Sequence, residues 1–430
     1  MSGPILTPRP PWLGRHVVLG VTGGIAAYKS VQLARDLTRL GARVDTVFTE
    51  SAGEFVRPLT FQGVTGRAVY HELFDAGGAA RHIELGMDAD LVLVAPATAD
   101  LVARAAHGRA DDLLTTTLLA TRAPILLAPA MNDRMYGHPQ TQRNLEHCRE
   151  VLGYRILGPG IGPLAAGEGE GPGRMLEPSE IVDHAGRAVG GDPVFEGRRI
   201  VVTAGPTREP LDPIRFLGNR SSGRMGFALA REAWLRGAEV TLVTGPSALP
   251  DPTGVTVSRV ETASEMLTEV TAVVPEADFV FFAAAVGDFR SEIIRDRKMK
   301  RSDVGEDQAP ETRRELRLVE NPDIAIETRA FGRDGAIRVG FALETEDLLT
   351  GARRKLREKG FDLIVANDAG EEGAGFDVET NRVTLLWPDG EEENLPIQSK
   401  RDVAWAILER LRERLRPTSD SRISAASPRA

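Results

Sequence analysis

The sequence predicts an α/β protein with two doubly wound, parallel-sheet domains that are joined by a short linker. Apolar runs of strand length alternate with helical stretches in both halves of the chain, and each run ends in turn residues. With 430 residues, the chain also exceeds the length that one ordinary hydrophobic core supports. A sheet with helices on both faces is therefore expected in each half.

The first half opens with a strand, a glycine turn and a helix, which is a Rossmann-like start. Residues 16–21 are an apolar run, Thr22-Gly23-Gly24 forms the turn, and residues 25–41 have helical periodicity. Further strands are predicted at residues 43–49, 90–96 and 123–129. Binding sites in such sheets lie beyond the carboxyl ends of the strands, where the turns after these runs fall.

A region rich in glycine and proline, residues 153–178, interrupts this pattern. It predicts a long loop, and long loops in compact domains are usually functional lids or disordered segments. A last helix and a linker follow, so the domain boundary is expected near Gly191. The predicted organisation is a flexible leader at 1–14, a first domain at 15–190, a second domain at 191–415 and a disordered tail at 416–430.

The second half repeats the alternation of strands and helices. Its predicted strands are residues 199–203, 239–244, 279–284, 338–342 and 363–366. Residues 383–387 and 391–395 flank Pro388-Asp389-Gly390, a turn signal that predicts a β-hairpin. An amphipathic helix over residues 401–415 is expected to close the domain.

Composition restricts the classes of function. The net charge of −9 and the pI near 5.5 argue against a nucleic-acid-binding surface. The single cysteine, Cys148, excludes an intramolecular disulfide and fits a reducing cytosol. The sequence contains neither a membrane-spanning apolar run nor a signal-peptide pattern, so a cytoplasmic protein is expected.

A long loop in the second half, which ends at residues 219–226, has donors suited to an anion. Ser221, Ser222 and Gly223 offer hydroxyl and backbone N–H groups where a helix starts, which suits a phosphate or a carboxylate. An ordinary capped helix is the alternative for these three residues alone. The usual dinucleotide-binding pattern G-x-G-x-x-G is absent from this turn, which counts against an NAD(P)-dependent oxidoreductase.

Residues 201–226, 283–289, 321–324 and 339–344 in this order resemble the synthetase half of bifunctional coenzyme A enzymes, in which phosphopantothenate–cysteine ligase is fused to phosphopantothenoylcysteine decarboxylase. The resemblance covers about residues 197 to 410 and implies that the substrates are 4′-phosphopantothenate, cysteine and CTP. It implies that CTP is bound by Ala284, Asp288, Lys298, Asn321, Pro322, Asp323, Ile324, Phe341, Lys355 and Lys359. It also implies that Asn219 and Lys298 act on an acyl-cytidylate.

Two of these lysines carry an argument of their own. Lys355 and Lys359 are four residues apart in a helical stretch, so they lie on one face and could clamp a triphosphate. A solvated basic face is the alternative for this helix alone. Mg²⁺ is expected to accompany the triphosphate, although no cluster in the sequence identifies its ligands. The sequence leaves the strictness of the preference for CTP open.

The first half resembles the flavin-containing cysteine decarboxylase family over roughly residues 14 to 185. The resemblance rests on the strings APATADLVAR, ADDLL and PAMNDRM, in this order. It implies an FMN site formed by Thr22, Gly23, Gly24, Thr49, Glu50, Ser51, Ala97 and Thr98. It implies further that His82 is the active-site base and that Asn132 binds the substrate carboxylate. Removal of two electrons beside a thiol makes a thioaldehyde, from which the adjacent carboxylate leaves as CO₂.

One departure from the resembled decarboxylases lies in the glycine-rich region, where the family has a cysteine that acts as a proton donor. Here the string is Leu164-Ala165-Ala166-Gly167, and alanine has no proton to give. Either Glu168 or Glu170 supplies the proton instead, or the reaction stops at the aminoenethiol. Cys148 is predicted to be a half-buried packing residue in a helix.

The resemblance also implies an assembly, with flavin domains in trimers, ligase domains in dimers and a flavin site that spans subunits. A flavin-binding protein without enzymatic activity is a second alternative to the bifunctional enzyme. The presence of His82, Asn132, Asn219 and Lys298 counts against it.

Overall fold

The computed structural model describes residues 6–74, 80–164, 166–167, 169–299, 316–344, 348–368 and 378–415. It divides the chain into two compact units, Met1–Gly191 and Asp192–Ala430, here called unit 1 and unit 2. The predicted tail, residues 416–430, lies outside the described residues. Within them, no helix has the length and apolar character that a membrane span requires.

Unit 1 is a parallel sheet with helices on both faces. Its strands are β1 (His16–Val21), β2 (Arg43–Phe48), β3 (Val69–Tyr70), β4 (Leu91–Ala97), β5 (Ile125–Pro129), β6 (Arg155–Ile156), β7 (Gly160–Pro163) and β8 (Glu170–Arg174). Its helices are α1 (Ala27–Arg39), α2 (Pro58–Thr65), α3 (Arg81–Asp88), α4 (Ala99–Ala106), α5 (Leu113–Ala120), α6 (Asp133–Gly137), α7 (Pro139–Glu150) and α8 (Pro178–Val189).

The strand order in unit 1 is β3-β2-β1-β4-β5-β6, and all neighbours are parallel. This is the doubly wound order, in which the chain leaves β1 in one direction and returns to the other side at β4. Residues of β1 alternate between two apolar layers: Val17 and Leu19 pack in one, and Val18 packs in the other. Because both faces are covered, β1 is apolar from Val17 to Val21, as predicted, while its first residue, His16, is buried and hydrogen-bonded to Asp45.

Unit 2 has the same plan with an added edge. Its strands are β9 (Arg199–Ala204), β10 (Arg208–Pro210), β11 (Phe216–Gly218), β12 (Glu239–Thr244), β13 (Thr256–Arg259), β14 (Phe279–Phe282), β15 (Phe289–Ser291), β16 (Leu318–Glu320), β17 (Ile337–Glu344), β18 (Leu363–Asp368), β19 (Thr380–Asn381), β20 (Thr384–Leu386), β21 (Glu392–Asn394) and β22 (Gln398–Ser399). Its helices are α9 (Arg224–Leu235), α10 (Ala263–Val273), α11 (Ile324–Glu327), α12 (Leu348–Glu358) and α13 (Lys400–Leu415).

The main sheet of unit 2 runs β13-β12-β9-β14-β17-β18-β20-β21. The first six strands are parallel and repeat the doubly wound order, whereas β20 and β21 form the antiparallel hairpin predicted around Pro388-Asp389-Gly390. The predicted fold class, two doubly wound Rossmann-like domains, is confirmed. The switch of winding direction lies between β9 and β14, so the carboxyl ends of these strands open a crevice.

Residues 153–178 were predicted to be a loop, and this prediction was wrong. Within them, β7 and β8 form an antiparallel hairpin in which Gly162 lies opposite Gly171. Gly162 and Gly173 have φ values of 156° and 138°. L side chains rarely adopt such positive φ values, and strands built from glycine have no apolar alternation, so the hydrophobic pattern gives no signal for them. We call β7 and β8 the glycine hairpin.

The leader prediction was also wrong where the structure describes it, at residues 6–14. Trp12 is only 3% exposed and packs in an apolar cluster with Leu37 and Leu40. The backbone N–H of Arg9 donates to Leu40 O at 3.0 Å, and that of Gly14 donates to Gly41 O at the same distance. This segment therefore packs against α1 instead of remaining flexible.

Candidate functional sites

In unit 1, the predicted FMN residues meet at the switch of winding direction. The Thr22 hydroxyl, directly after β1, donates to Pro96 O in β4 at 2.7 Å. The Thr98 N–H donates back to the Thr22 hydroxyl at 3.3 Å, and Thr98 caps α4. Ala97, at the end of β4, accepts from the Ala130 N–H at 3.1 Å. The carboxyl ends of β1 and β4 are thus joined by hydroxyl and backbone groups.

The glycine turn brings the end of β2 into the same cluster. A Cβ atom on Gly23 would lie 2.4 Å from the Ser51 hydroxyl, so only glycine fits there. The hydroxyls of Thr49 and Ser51 are 3.2 Å apart. Gly24 is less crowded, because a Cβ there would approach Thr98 Cγ2 at 3.5 Å. Hydroxyl groups and a close-lying backbone form a cradle that suits a phosphate or the polar edge of a flavin.

Asn132 lies at the start of α6, and its Oδ1 accepts from the Arg134 N–H at 2.9 Å. The glycine hairpin is attached beside it, because the Met131 N–H donates to Gly173 O at 3.0 Å. A Cβ on Gly173 would lie 2.2 Å from Met131 O, which explains the glycine. The structure therefore places the hairpin against the loop that carries Asn132.

The base of the glycine hairpin is held by charged groups. The ammonium group of Lys29, which is 7% exposed, donates to Met175 O at 3.1 Å and to Glu177 Oε1 at 2.8 Å. Arg174 donates to the same carboxylate at 2.5 Å. The hydrogen bond from Lys29 is the main reason that the pKa of Glu177 lies below its usual value. These contacts fix the second strand of the hairpin to α1 and α8.

The candidate proton donors for the decarboxylase are Glu168, Glu170 and Cys148, and the structure describes the last two. Glu168 and Ala165 lie outside the described residues, whereas Glu170 is exposed at the start of β8. Cys148 is fully buried in the cluster around α4 and α7, so its prediction as half-buried was wrong. Burial raises the pKa of the Cys148 thiol to about 11, which makes it an unsuitable donor for this step.

His82 lies in the first turn of α3, which packs on α5 through Leu85 and Gly86. Its Nδ1 atom is buried and has no hydrogen-bond partner in the part of the chain that the structure describes. Within that part, no hydrogen bond joins His82 to Thr22, Thr98 or Asn132. The structure thus brings most of the predicted FMN residues together and leaves the predicted base unconnected to them.

Unit 2 contains a cavity of about 660 Å³ at the carboxyl ends of β9, β14, β17 and β18. Most of the residues predicted to bind the nucleotide or the acyl-cytidylate line it. They are Asn219, Ala284, Asp288, Asn321, Pro322, Asp323, Ile324, Phe341, Lys355 and Lys359. Ser221, Ser222 and Gly223 line the same cavity. The crevice expected from the strand order is therefore the place where these side chains meet.

Hydrogen bonds join the loop after β9 to the loop after β14. Asn219 Nδ2 donates to Ala285 O at 3.3 Å and to Val286 O at 3.0 Å. The Gly287 N–H donates to the Thr207 hydroxyl at 2.9 Å. These bonds fix the position of Asn219 in the wall of the cavity.

Asn321 joins the next loop to this one. Its side-chain Nδ2 donates to Gly287 O at 2.8 Å, and its backbone N–H donates to Asp288 O at 2.8 Å. Asp323 caps α11, because its Oδ1 accepts from the Ile326 N–H at 3.1 Å. These bonds fix Asn321 and Asp323, which both line the cavity.

Lys298 is the one residue predicted to bind CTP that does not line the cavity as the structure describes it. Its neighbour Met299 is held by Asp212 Oδ2, which accepts from the Met299 N–H at 3.1 Å. The segment that follows, residues 300–315, lies outside the described residues.

Six further polar residues line the cavity without having been predicted: Thr203, Arg224, Glu320, Asn367, Asn381 and Lys400. Asn367 had a signal in the sequence, because it directly follows the predicted strand 363–366. Asn381 and Lys400 had none, since β19 has two residues and Lys400 starts a helix whose apolar pattern begins later.

Comparison with known proteins agrees with this geometry. Residues 11–189 match the flavoprotein family, and residues 195–415 match the C-terminal domain of DNA/pantothenate metabolism flavoproteins. The coenzyme A biosynthesis bifunctional protein CoaBC of Vibrio cholerae is 45% identical over 404 residues, which cover 94% of this chain and 99% of that protein. The chain belongs to the CoaBC family.

Other CoaBC proteins show the same extent of similarity. The Bacillus subtilis protein is 44% identical over 402 residues, covering 92% of this chain and 96% of its own. A crystal structure of a CoaBC C-terminal domain is 37% identical, covers 52% of this chain and 98% of its own, and has a TM-score of 0.43.

As a CoaBC protein, the chain is a bifunctional enzyme of coenzyme A biosynthesis, with a flavoprotein decarboxylase half and a ligase half. The flavoprotein match confirms that the predicted cofactor is a flavin.

Proposed function

We propose that unit 2 joins 4′-phosphopantothenate to cysteine in a reaction driven by CTP, and that unit 1 decarboxylates the product to 4′-phosphopantetheine. In the first reaction the substrate carboxylate attacks the α-phosphorus of CTP and forms an acyl-cytidylate with release of pyrophosphate. The cysteine amine then displaces CMP. The observation that carries this proposal is the cavity of unit 2, which collects residues from the ends of β9, β14, β17 and β18 around one space.

In the ligase cavity, residues 321–324 would bind the nucleotide with Phe341 beside it. Lys355 and Lys359 would lie near its phosphates, where cations stabilise the charge that develops on the leaving pyrophosphate. Asn219, fixed by Ala285 and Val286, would orient the acyl-cytidylate. Lys298 would contact the same acyl-cytidylate. Since Lys298 is not among the described residues that line the cavity, its side chain would have to extend into the cavity.

Mg²⁺ would enter with the nucleotide. Among the described residues, no three histidine, cysteine, aspartate or glutamate side chains converge to hold a metal ion. The phosphate oxygens of CTP would therefore supply most of the ligands, with water completing the shell.

In unit 1, Thr22, Gly23, Gly24, Thr49, Ser51, Ala97 and Thr98 would hold FMN. The bound cofactor supplies the two-electron oxidation of the carbon beside the substrate thiol. Asn132 would bind the carboxylate that is lost, while His82 would move the proton of the thiol. The cradle that a Cβ on Gly23 would fill supports this assignment.

The two sites would act in sequence within a cytoplasmic homo-oligomer. Unit 1 exposes Tyr28, Phe74 and Met87, and unit 2 exposes Ile214 and Ile293. Single exposed apolar side chains are common on protein surfaces, so the support for trimeric flavin domains and dimeric ligase domains comes from the resemblance of the two halves to the bifunctional coenzyme A enzymes. A flavin site completed by a neighbouring subunit would also account for the position of His82.

The full chain incubated with 4′-phosphopantothenate, cysteine and Mg²⁺ tests the ligase assignment. We expect release of pyrophosphate and CMP with CTP and a much slower reaction with ATP. Equal rates with both nucleotides would contradict the assignment of cytidine. Absence of pyrophosphate with either nucleotide would contradict the assignment of the cavity.

A further inference from the structure

Asn219 and Lys298, the two residues assigned above to the acyl-cytidylate, lie on segments that meet at one turn. Asn219 directly follows β11, and residues 211–215 join β11 to β10. We call residues 211–215 the β10–β11 turn. Residues 295–299, which include Lys298, are hydrogen-bonded to this turn. The turn is therefore the place where the two segments are held together.

Asp212 is the central residue of the β10–β11 turn. Its side chain is fully buried, and its Oδ1 accepts from the N–H groups of Ile214 and Arg215, both at 2.8 Å. This is the way in which aspartate stabilises a turn. Its other oxygen, Oδ2, accepts from the Met299 N–H at 3.1 Å. Burial raises the pKa of this carboxyl, but the three backbone donors outweigh the effect, and the pKa lies below its usual value.

Two further hydrogen bonds attach the segment of Lys298 to the same turn. The Arg295 N–H donates to Leu211 O at 3.1 Å, and Arg215 Nη1 donates to Met299 O at 3.0 Å. The segment is thus held on both sides of Lys298, whose own side chain is exposed. The turn fixes the backbone from which the lysine side chain extends.

The hairpin that carries the turn is itself fixed in unit 2. Glu209 in β10 lies opposite Leu217 in β11. Glu209 is only 2% exposed, and its Oε1 accepts from the Ala263 N–H at the start of α10 at 3.0 Å. At the end of β11, the Asn219 side chain is bonded to the loop after β14. Because the hairpin is held at these points, the turn gives the segment of Lys298 a defined position relative to Asn219.

We propose that Asp212 positions Lys298 relative to Asn219 and so sets the geometry in which both act on the acyl-cytidylate. The proposal rests on the roles proposed for these two residues and deepens them. Asp212 is not among the described residues that line the cavity, so it acts through Lys298 and is a positioning residue. A lysine has a long, flexible side chain, and its reach depends on where its backbone is held. A displacement of about 1 Å in such a group can cost about a hundredfold in rate.

The substitution Asp212→Asn separates this role from support of the turn. The asparagine carbonyl can still accept from Ile214 and Arg215, but its NH₂ group cannot accept from the Met299 N–H. Asp212→Ser is a second variant, since a serine hydroxyl also stabilises turns and is too short to replace both carboxylate oxygens. The matched control is Asp296→Asn, which removes the same charge from an exposed residue of the segment that carries Lys298.

Steady-state kinetics of the full chain with CTP, 4′-phosphopantothenate and cysteine give the first measurement. We expect the kcat of the ligase to fall roughly tenfold to hundredfold in both Asp212 variants. The KM for CTP and the temperature of thermal unfolding should stay close to the wild-type values, since the cavity lining and the turn are kept. Asp296→Asn should have the wild-type kcat. An unchanged kcat in both Asp212 variants would overturn the proposal.

A double-mutant cycle shows whether Asp212 acts through Lys298. The double variant Asp212→Asn, Lys298→Gln should be no slower than Lys298→Gln alone, because a lysine that is absent cannot be misplaced. If the two losses in kcat multiply instead, Asp212 acts independently and the positioning role is refuted, while the role of Lys298 stands. A wild-type rate in Lys298→Gln would refute the role of that lysine, and the proposal with it.

Hydrogen–deuterium exchange measures the contact without reference to activity. We expect the Met299 amide to be protected in the wild type and in Asp296→Asn, and to exchange faster in Asp212→Asn. If this amide exchanged in the wild type at the rate of an unstructured peptide, the bond to Asp212 would be absent and the proposal would fail.

Discussion

Lys359 Nζ lies 2.6 Å from Asp323 Oδ2, and both residues line the cavity of unit 2. The same carboxylate caps α11 through its other oxygen, so one aspartate holds both the lysine and the loop proposed to bind the nucleotide. The expected clamp of Lys355 and Lys359 therefore starts from a state in which one of its cations is paired with a carboxylate.

Replacement of Lys359 by Gln should raise the KM for CTP roughly tenfold, because a charge-assisted contact with the nucleotide is lost. Arg357→Gln is the control, since it removes the same charge from an exposed position on α12. Steady-state kinetics at varied CTP concentration give the KM for CTP of each variant. If the KM for CTP rose equally in both variants, the effect would come from the overall positive charge near α12 and not from a contact of Lys359 with the nucleotide.

The variant Lys298→Gln should reduce kcat of the ligase by orders of magnitude and leave the domain folded. The residue lies outside the described lining of the cavity, in a segment held by hydrogen bonds to its neighbour Met299. Product formation and thermal unfolding are measured on the same sample, with Arg297→Gln as the control. Formation of phosphopantothenoylcysteine at the wild-type rate would remove Lys298 from the mechanism.

The decarboxylase should complete its reaction without a cysteine in the glycine hairpin. We expect phosphopantetheine after a single anaerobic turnover, with Glu170 or Glu168 as the proton donor. Mass spectrometry decides this, because a reaction that stops at the aminoenethiol gives a product two hydrogens lighter. Glu170→Gln should slow the final step if this residue is the donor. If Ala166→Cys changes neither rate nor product, Ala166 does not occupy the family's cysteine position.

Cleavage of the chain near Gly191 should give two fragments that fold separately. The structure divides the chain at the same point, between Gly191 and Asp192. We expect residues 1–190 to be yellow with bound FMN and residues 191–430 to bind CTP. Absorbance and calorimetry measure these properties. An insoluble fragment, or one without its ligand, would argue against a boundary here.

Asp45 should make unit 1 sensitive to acid. Burial raises the pKa of its carboxyl, but hydrogen bonds from His16 at 2.8 Å and Arg67 at 2.6 Å outweigh this and lower it to about 2. Because the folded pKa lies below the unfolded value, the stabilisation is complete above about pH 4 and is lost as the pH falls towards 2.

Asp45→Asn should therefore lower the free energy of unfolding by roughly 2 kcal/mol at pH 7. Urea titrations at pH 7 and at pH 3 measure the difference from the wild type, which should shrink at the lower pH. Asp100→Asn is the control, since this exposed aspartate pairs with Arg104 at the surface and should change stability by under about 1 kcal/mol. A difference that does not depend on pH would show that Asp45 acts through packing.

Local patterns in the sequence were sufficient to predict the positions of the long parallel strands in both sheets. The apolar runs at residues 16–21 and 239–244 are strands with the predicted bounds. A strand that is covered on both faces is mostly apolar, so its position can be read without knowledge of its neighbours. Ligand sites lie at the carboxyl ends of parallel strands. Once the strands were located, the turn after β1 and the loops after β9 and β14 could therefore be predicted to form the sites.

Contacts between distant segments decided the rest. Trp12, the glycine hairpin and the full burial of Cys148 depend on what packs against them, and no periodicity within their own segments reports that. The meeting of Arg224, Asn381 and Lys400 joins positions up to 176 residues apart in the sequence. Sequence alone located the long buried strands of both main sheets and the side chains that follow them. Only the tertiary structure decided which of those side chains share a cavity, because strand pairing and helix packing bring them together.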